Sequence, residues 1–260
     1  MRGRRRALRF PAAALLALAA VLSAPADAQP VPPDCLGPVT GASYADPTDR
    51  YPHGALSDPW EWGTLELRLA VGAPCPAGQS RLRIVLPDAL VFEDVAPWLV
   101  DLDADGSPEA LTVESHRDLG ARLAIWGHGA GGAVRLAATP HIGRSQRWLA
   151  QLGAADLDGD GRVEIAYVDR PHLAKVLRVW RYDGGTLTHV ADHAGLTNHR
   201  FGEPAIQGGI RDCGTGPEIV TADADWRRIV VTRLSGGRLD SRTAGAYAPD
   251  AMDRAMACRN

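Results

Sequence analysis

Asp156-Leu157-Asp158-Gly159-Asp160-Gly161-Arg162-Val163-Glu164 reads as a cation loop that opens into a strand. Three aspartates alternate, a glycine follows the third, and a glutamate closes the run before Ile165-Ala166-Tyr167-Val168. Alternating carboxylates in a tight turn converge on one point, and calcium needs roughly six to eight oxygens around it. Gly161 permits the sharp reversal that such a loop requires. A second copy, Asp101-Leu102-Asp103-Ala104-Asp105-Gly106-Ser107-Pro108-Glu109, precedes Ala110-Leu111-Thr112-Val113.

The expected calcium ligands are Asp101, Asp103, Asp105 and Glu109 in the first loop and Asp156, Asp158, Asp160 and Glu164 in the second. The backbone carbonyls of Ser107 and Arg162 complete the two sets. Magnesium suits these loops less, because nothing in them enforces a small octahedron. An EF-hand is excluded: its closing glutamate sits at position 12, where this chain has Thr112 and Tyr167 inside strands. A third copy, aligned on Glu218, keeps only Asp212 and Glu218, with Ile210, Gly214 and Gly216 at the other ligand positions. No metal is expected there. Cys213 lies inside this third loop, so a disulfide can pin it where a cation pins the others.

The glutamates set a period: Glu109 to Glu164 is 55 residues and Glu164 to Glu218 is 54. About four strands fit each unit, ending in turns such as Asp183-Gly184-Gly185 and Ser235-Gly236-Gly237. Four strands repeated at this period predict an all-β fold, a β-propeller of four-stranded blades. Units are expected near 51–90, 91–141, 142–198 and 199–245, giving about four to five blades in a small or incomplete ring. Residues 246–260 form a tail whose stretch from Pro249 to Ala257 reads as a short helix. Gly63–Val71 and Arg81–Leu86 read as a hairpin, and the Pro-rich stretch 29–50 as an extended lead-in.

The N-terminus reads as an export signal. Arg2, Arg4, Arg5, Arg6 and Arg9 precede an apolar run of eleven residues from Ala12 to Leu22, and Ala26-Asp27-Ala28 fits a cleavage site. Eleven residues fall short of the roughly 20 needed to span a bilayer. Residues 1–28 are therefore expected to be removed, with no transmembrane anchor, and the product is expected to be periplasmic or secreted. Cleavage shifts the net charge from −3 to −7, which argues against a nucleic-acid partner. The four cysteines, Cys35, Cys75, Cys213 and Cys258, allow three disulfide connectivities in an oxidising compartment. Cys35–Cys75 with Cys213–Cys258 is favoured, since each pair ties a terminal segment to the body.

The two D-x-D-x-D-G-x-x-E runs and their apolar strands resemble FG-GAP/VCBS repeats of integrin-α-like β-propellers. The stretch Tyr51-Pro52-His53-Gly54-Ala55-Leu56-Ser57-Asp58 with Glu61-Trp62 is similar to a segment of short secreted proteobacterial members. The resemblance implies calcium on the blades and a role in adhesion or ligand recognition, with a protein or carbohydrate as the ligand. The sequence holds no G-x-S-x-G, H-E-x-x-H or phosphate-loop motif. The segments before the inner strands bring Glu93, Arg147, Trp148, His199 and Arg200 toward one end, where His53 and Glu61 can join them. His116 and His172 occupy similar places in successive units. Arginines beside a tryptophan suit a carboxylate or a sugar. A non-enzymatic binding or scaffold module is the expected function. The alternatives are a hydrolase or lyase acting on a carbohydrate or phosphoester at this end, and a structural accessory of an envelope complex.

Overall fold

The computed structural model describes residues 36–70, 81–129 and 131–259. The export signal at 1–28 and the pairing of Cys35 with Cys75 lie outside the described residues, as does the turn between the two strands read as a hairpin. The described residues are all-β apart from one short helix, and their strands form three antiparallel sheets in chain order.

The first sheet has eight strands: β1 (Val39–Thr48), β2 (Glu61–Leu69), β3 (Arg81–Val85), β4 (Leu90–Phe92), β5 (Trp98–Val100), β6 (Glu109–His116), β7 (Gly120–Gly129) and β8 (Gly132–Ala138). Its main path is β1-β2-β4-β6-β7-β8, with β3 on β2 and β5 on β6. The sheet curls into a half-barrel. Leu65, Leu67, Phe92, Ala110 and Ala124 pack inside the curl, all fully buried. Truncating one such leucine to alanine costs roughly 2–5 kcal/mol.

The first sheet departs from the sequence reading in two ways. The units expected at 51–90 and 91–141 share it, because Trp62 on β2 pairs with Phe92 on β4 and β4 pairs with β6. Arg50 clasps the join by donating to the Leu90 carbonyl (2.6 Å). Part of the lead-in is also a true edge strand, with β1 in register along β2 from Val39↔Leu69 to Thr48↔Glu61. Pro47 sits near its end, where a missing N–H does least harm.

The second sheet is a four-stranded meander of β9 (Leu149–Ala155), β10 (Glu164–Asp169), β11 (Val176–Asp183) and β12 (Thr186–Ala194). The third holds β13 (Leu196–Thr197), β14 (Gly209–Asp212), β15 (Pro217–Asp223), β16 (Arg228–Ser235) and β17 (Arg238–Ala246). The second sheet falls within 142–198, while the third begins inside that expected unit with β13 and ends at Ala246, one residue past the unit expected at 199–245. Leu111, Leu123, Ile125, Leu149 and Ile165 form one core between the first and second sheets. Leu152, Ala166, Leu177, Ile219 and Leu234 form another between the second and third.

The tail forms α1 (Pro249–Met256), begun by a proline whose missing N–H is no loss at a helix start. Met252 is buried against Val220, Ile229 and Val231 of the third sheet. Cys258 just beyond the helix is disulfide-bonded to Cys213. That bond ties the tail to the third loop, as the sequence reading expected.

Candidate metal centres and a pocket at the opposite end

Each acidic loop joins two neighbouring antiparallel strands. The first links β5 to β6 and the second links β9 to β10. Asp101, Asp103 and Glu109 each bring an oxygen within 4.8 Å of the others, and so do Asp156, Asp158 and Glu164. Backbone N–H groups hold the carboxylates in place. Gly106 donates to Asp101 Oδ2 (3.0 Å), Gly161 to Asp156 Oδ2 (2.9 Å), and Leu102 and Leu157 to the Oε2 atoms of Glu109 and Glu164 (2.9 Å each). Asp101 Oδ1 and Asp158 Oδ1 are buried without a hydrogen-bond partner. A buried oxygen left unpaired is costly. Its presence at both clusters fits a cation-bound state.

The third aspartates lie outside these clusters. Asp105 Oδ1 accepts from Ser107 N (2.7 Å) and Asp160 Oδ1 from Arg162 N (3.0 Å), so each braces its own turn. Ser107 Oγ also accepts from Val39 N (3.2 Å), tying the first loop to the edge strand β1.

A residue that sequence reasoning missed separates the two loops. Arg181 on β11 pairs across the sheet with Glu164. Its guanidinium reaches Glu164 Oε1 (2.6 Å), Asp158 Oδ2 (2.7 Å) and Asp160 Oδ2 (3.2 Å). In the first loop Gly127 follows Trp126, whose partner is Ala110, and a Cβ there would lie 3.9 Å from Glu109 Cγ. Among the described residues no guanidinium reaches Glu109, which lines a cavity of about 420 Å³ with Asp103, Asp105 and Gly127. Burial, with Asp103 and Asp105 adding repulsion, pushes Glu109 up to about 7. The third loop is the opposite case. Arg211, Arg233 and Arg242 surround Glu218 at 3.1, 2.8 and 2.9 Å. Burial works against ionising Glu218, but these arginines outweigh it and hold the carboxyl below its usual range.

The strands carry a pocket at their other end. A strand the length of β9 spans roughly 20 Å, so this end is far from the acidic loops. Arg170 N donates to the Trp148 carbonyl (2.9 Å) where the β9–β10 pair opens. A cavity of about 280 Å³ lies there, lined by His53, Gln146, Arg147, Trp148, Arg170, Pro171, His172, Leu173 and Phe201. The segment from Tyr51 to Ala55 braces it from three sides. Tyr51 Oη accepts from Gln146 N (2.9 Å), His53 Nδ1 meets Glu93 Oε1 (2.5 Å), and the Ala55 carbonyl accepts from Gly202 N (2.9 Å).

Glu93 is fully buried beneath His53 and also accepts from Ser115 Oγ. Trp148 Nε1 donates to the Glu93 carbonyl (2.8 Å). His199 meets His172 Nε2 through Nδ1 (2.9 Å) and donates through Nε2 to the Glu203 carbonyl (2.8 Å). Burial first, then His199, His53 and Lys175, pushes His172 down to about 4, so it is neutral at pH 7.

Of the residues expected at this end, Arg147, Trp148 and His53 line the pocket, with Glu93 and His199 directly behind them. Arg200 does not join them. It turns outward onto the Trp226 ring (4.2 Å) and the Tyr247 ring (5.2 Å). Glu61 faces a neighbouring cavity. His116 packs on His141 and not beside His172. Arg170 and Phe201 were not singled out from the sequence, because chain reversals after β10 and β13 bring them in.

The FG-GAP-like repeat family model matches residues 101–167, which run from the first acidic loop through the second and into β10. That stretch is similar to an FG-GAP-like repeat and lies within an all-β, β-propeller-like fold. No curated protein matches the chain. FG-GAP repeats build binding or scaffold modules, and the family is generally non-enzymatic. Among the described residues, no helix is long and apolar enough to cross a membrane.

Proposed function

We propose that this protein is an exported binding module whose two acidic loops hold calcium and whose pocket at the opposite end receives the ligand. The observation that carries the calcium reading is the pair of converging carboxylate clusters, each with an orphaned buried oxygen. Asp101, Asp103 and Glu109 would hold one ion and Asp156, Asp158 and Glu164 the other, with Asp105 and Asp160 bracing the turns. The ion would supply the positive charge that these carboxylates lack and would fix the loop. Its role is structural, since the pocket lies roughly 20 Å away along the strands.

The pocket favours recognition over catalysis. Its described lining holds no serine, threonine or cysteine, and Glu93 and His199 are tied to neighbours. Trp148 and Phe201 offer aromatic surface and Arg147 a cation, a combination suited to a sugar or a carboxylate on a protein or carbohydrate partner. The basic and apolar N-terminal stretch and the Cys213–Cys258 bond agree with a periplasmic or secreted location.

Calorimetric titration of chelator-treated protein with calcium tests the first part, with two bound ions expected. Absence of calcium binding would refute the loop reading. Glycan-array and envelope-fraction pull-down experiments with wild type and W148A test the second. Equal retention by both proteins would refute the pocket reading.

A further inference from the structure

Among the described residues, the buried carboxylates other than Glu61 each have a partner. Glu114 has Arg122 and Arg135, Glu164 has Arg181, Glu218 has three arginines, and Asp169 has Arg170 and Arg178. Glu93 has His53 and Ser115, and Asp94 accepts from Gln151 Nε2 (2.5 Å) and Val95 N (2.7 Å). Glu109 lacks a cation and stands in a candidate metal cluster. Glu61 is the remaining case. It is 3% exposed, and among the described residues nothing donates to its carboxyl.

Glu61 faces a cavity of about 390 Å³, separate from the pocket beside Trp148. Asp58 and Asp94 also line it, so three carboxyl groups share the space with no arginine, lysine or histidine in the described lining. Burial first, then Glu93, Asp58 and Asp94, pushes Glu61 up to about 10, and no neighbouring cation offsets the effect. The walls are aromatic and apolar. Trp60 is 54% exposed, an unusual state for a tryptophan with no partner, and Trp62 and Val95 complete that side.

We propose that this cavity binds an organic ammonium group, either a free alkylamine or a lysine side chain. An ammonium supplies the charge that Glu61, Asp58 and Asp94 lack, and an indole face attracts a cation through its quadrupole. A carboxyl desolvated to this degree holds its proton until a cation pairs with it, so ammonium binding would let Glu61 ionise and release that proton. The alkyl stem would lie against Trp60 and Val95 while the charged head reaches Glu61. A bare metal ion would not use the indoles, and the three carboxyl groups do not converge as those of the loops do.

The test is calorimetric titration of the whole protein with n-butylammonium chloride at fixed ionic strength, with n-butanol as the neutral analogue. Saturating calcium present throughout keeps the acidic loops occupied and out of the measurement. Saturable binding of butylammonium without binding of n-butanol is expected. E61Q should weaken it tenfold or more, and W60A, which alters only an exposed side chain, severalfold. A short peptide with one lysine identifies the source of the ammonium: tighter binding than butylammonium points to a polypeptide partner, and weaker binding to a free amine. Equal binding of n-butanol, unchanged affinity in E61Q, or no saturation by either ammonium probe would overturn the proposal.

Discussion

The first and second acidic loops carry the same carboxylates and differ in one cross-strand neighbour. Opposite Glu164 stands Arg181, whose guanidinium touches three carboxylates of the second loop. Against Glu109 lies Gly127, with the Leu136 side chain beside it and a cavity beyond. In the third loop most carboxylates are gone and three arginines surround Glu218. The series shows two ways to neutralise a buried glutamate at the foot of a strand. One is the ion from solution that we propose for the first loop, and the other is a guanidinium built into the next strand. The second loop holds both options, and an arriving ion would share Asp158 and Glu164 with Arg181. The first loop holds only the external option.

Four measurements bear on that difference. The largest effect is expected for R181A without calcium. It leaves Glu164, fully buried, without its cation, at a cost of roughly 3–5 kcal/mol. Saturating calcium should restore most of the lost melting temperature, and failure of that rescue would break the equivalence of ion and guanidinium. Next, chelation of the wild-type protein should remove about 2.7 kcal/mol for a site held at 100 times its dissociation constant. That corresponds to a fall of roughly 5–10 °C at this chain length. D101N should abolish more of this response than D156N, because the second loop falls back on Arg181. R233A should cost about 1–2 kcal/mol, since Arg211 and Arg242 remain, and calcium should not repair it. The smallest effect is expected at Ala104, held at a φ of 60°, where glycine is at ease and alanine is not. A104G should stabilise the ion-free first loop by about 0.5–1 kcal/mol in thermal melts.

The acidic loops were legible in the sequence because their ligands are neighbours in the chain. Arg181 was not, because it reaches Glu164 only through the β10–β11 register. A signal was present: Trp126 and Trp180 are equivalent by position, and the next residues are Gly127 and Arg181. The shared first sheet was also hidden, since the Trp62–Phe92 pairing crosses a unit boundary that the repeat period suggests. At the pocket end, Glu93, Trp148 and His199 were identified from their places before inner strands. Arg200 shares that place with His199, but the two adjacent side chains diverge, His199 inward to His172 and Arg200 outward onto Trp226.

The brace from Tyr51 to Ala55 has a consequence for the order of folding. The contacts within an acidic loop are local, seven residues apart for Leu157 and Glu164, so closing them costs little chain entropy. The contact of Tyr51 with Gln146 spans 95 residues, and Ala55 must find Gly202 in the turn between β13 and β14. Contacts of such long range form slowly. The loops can therefore take up their ions on isolated hairpins, while the pocket closes only after all three sheets have assembled. A refolding experiment would see the pocket tryptophan, Trp148, reach its native fluorescence last.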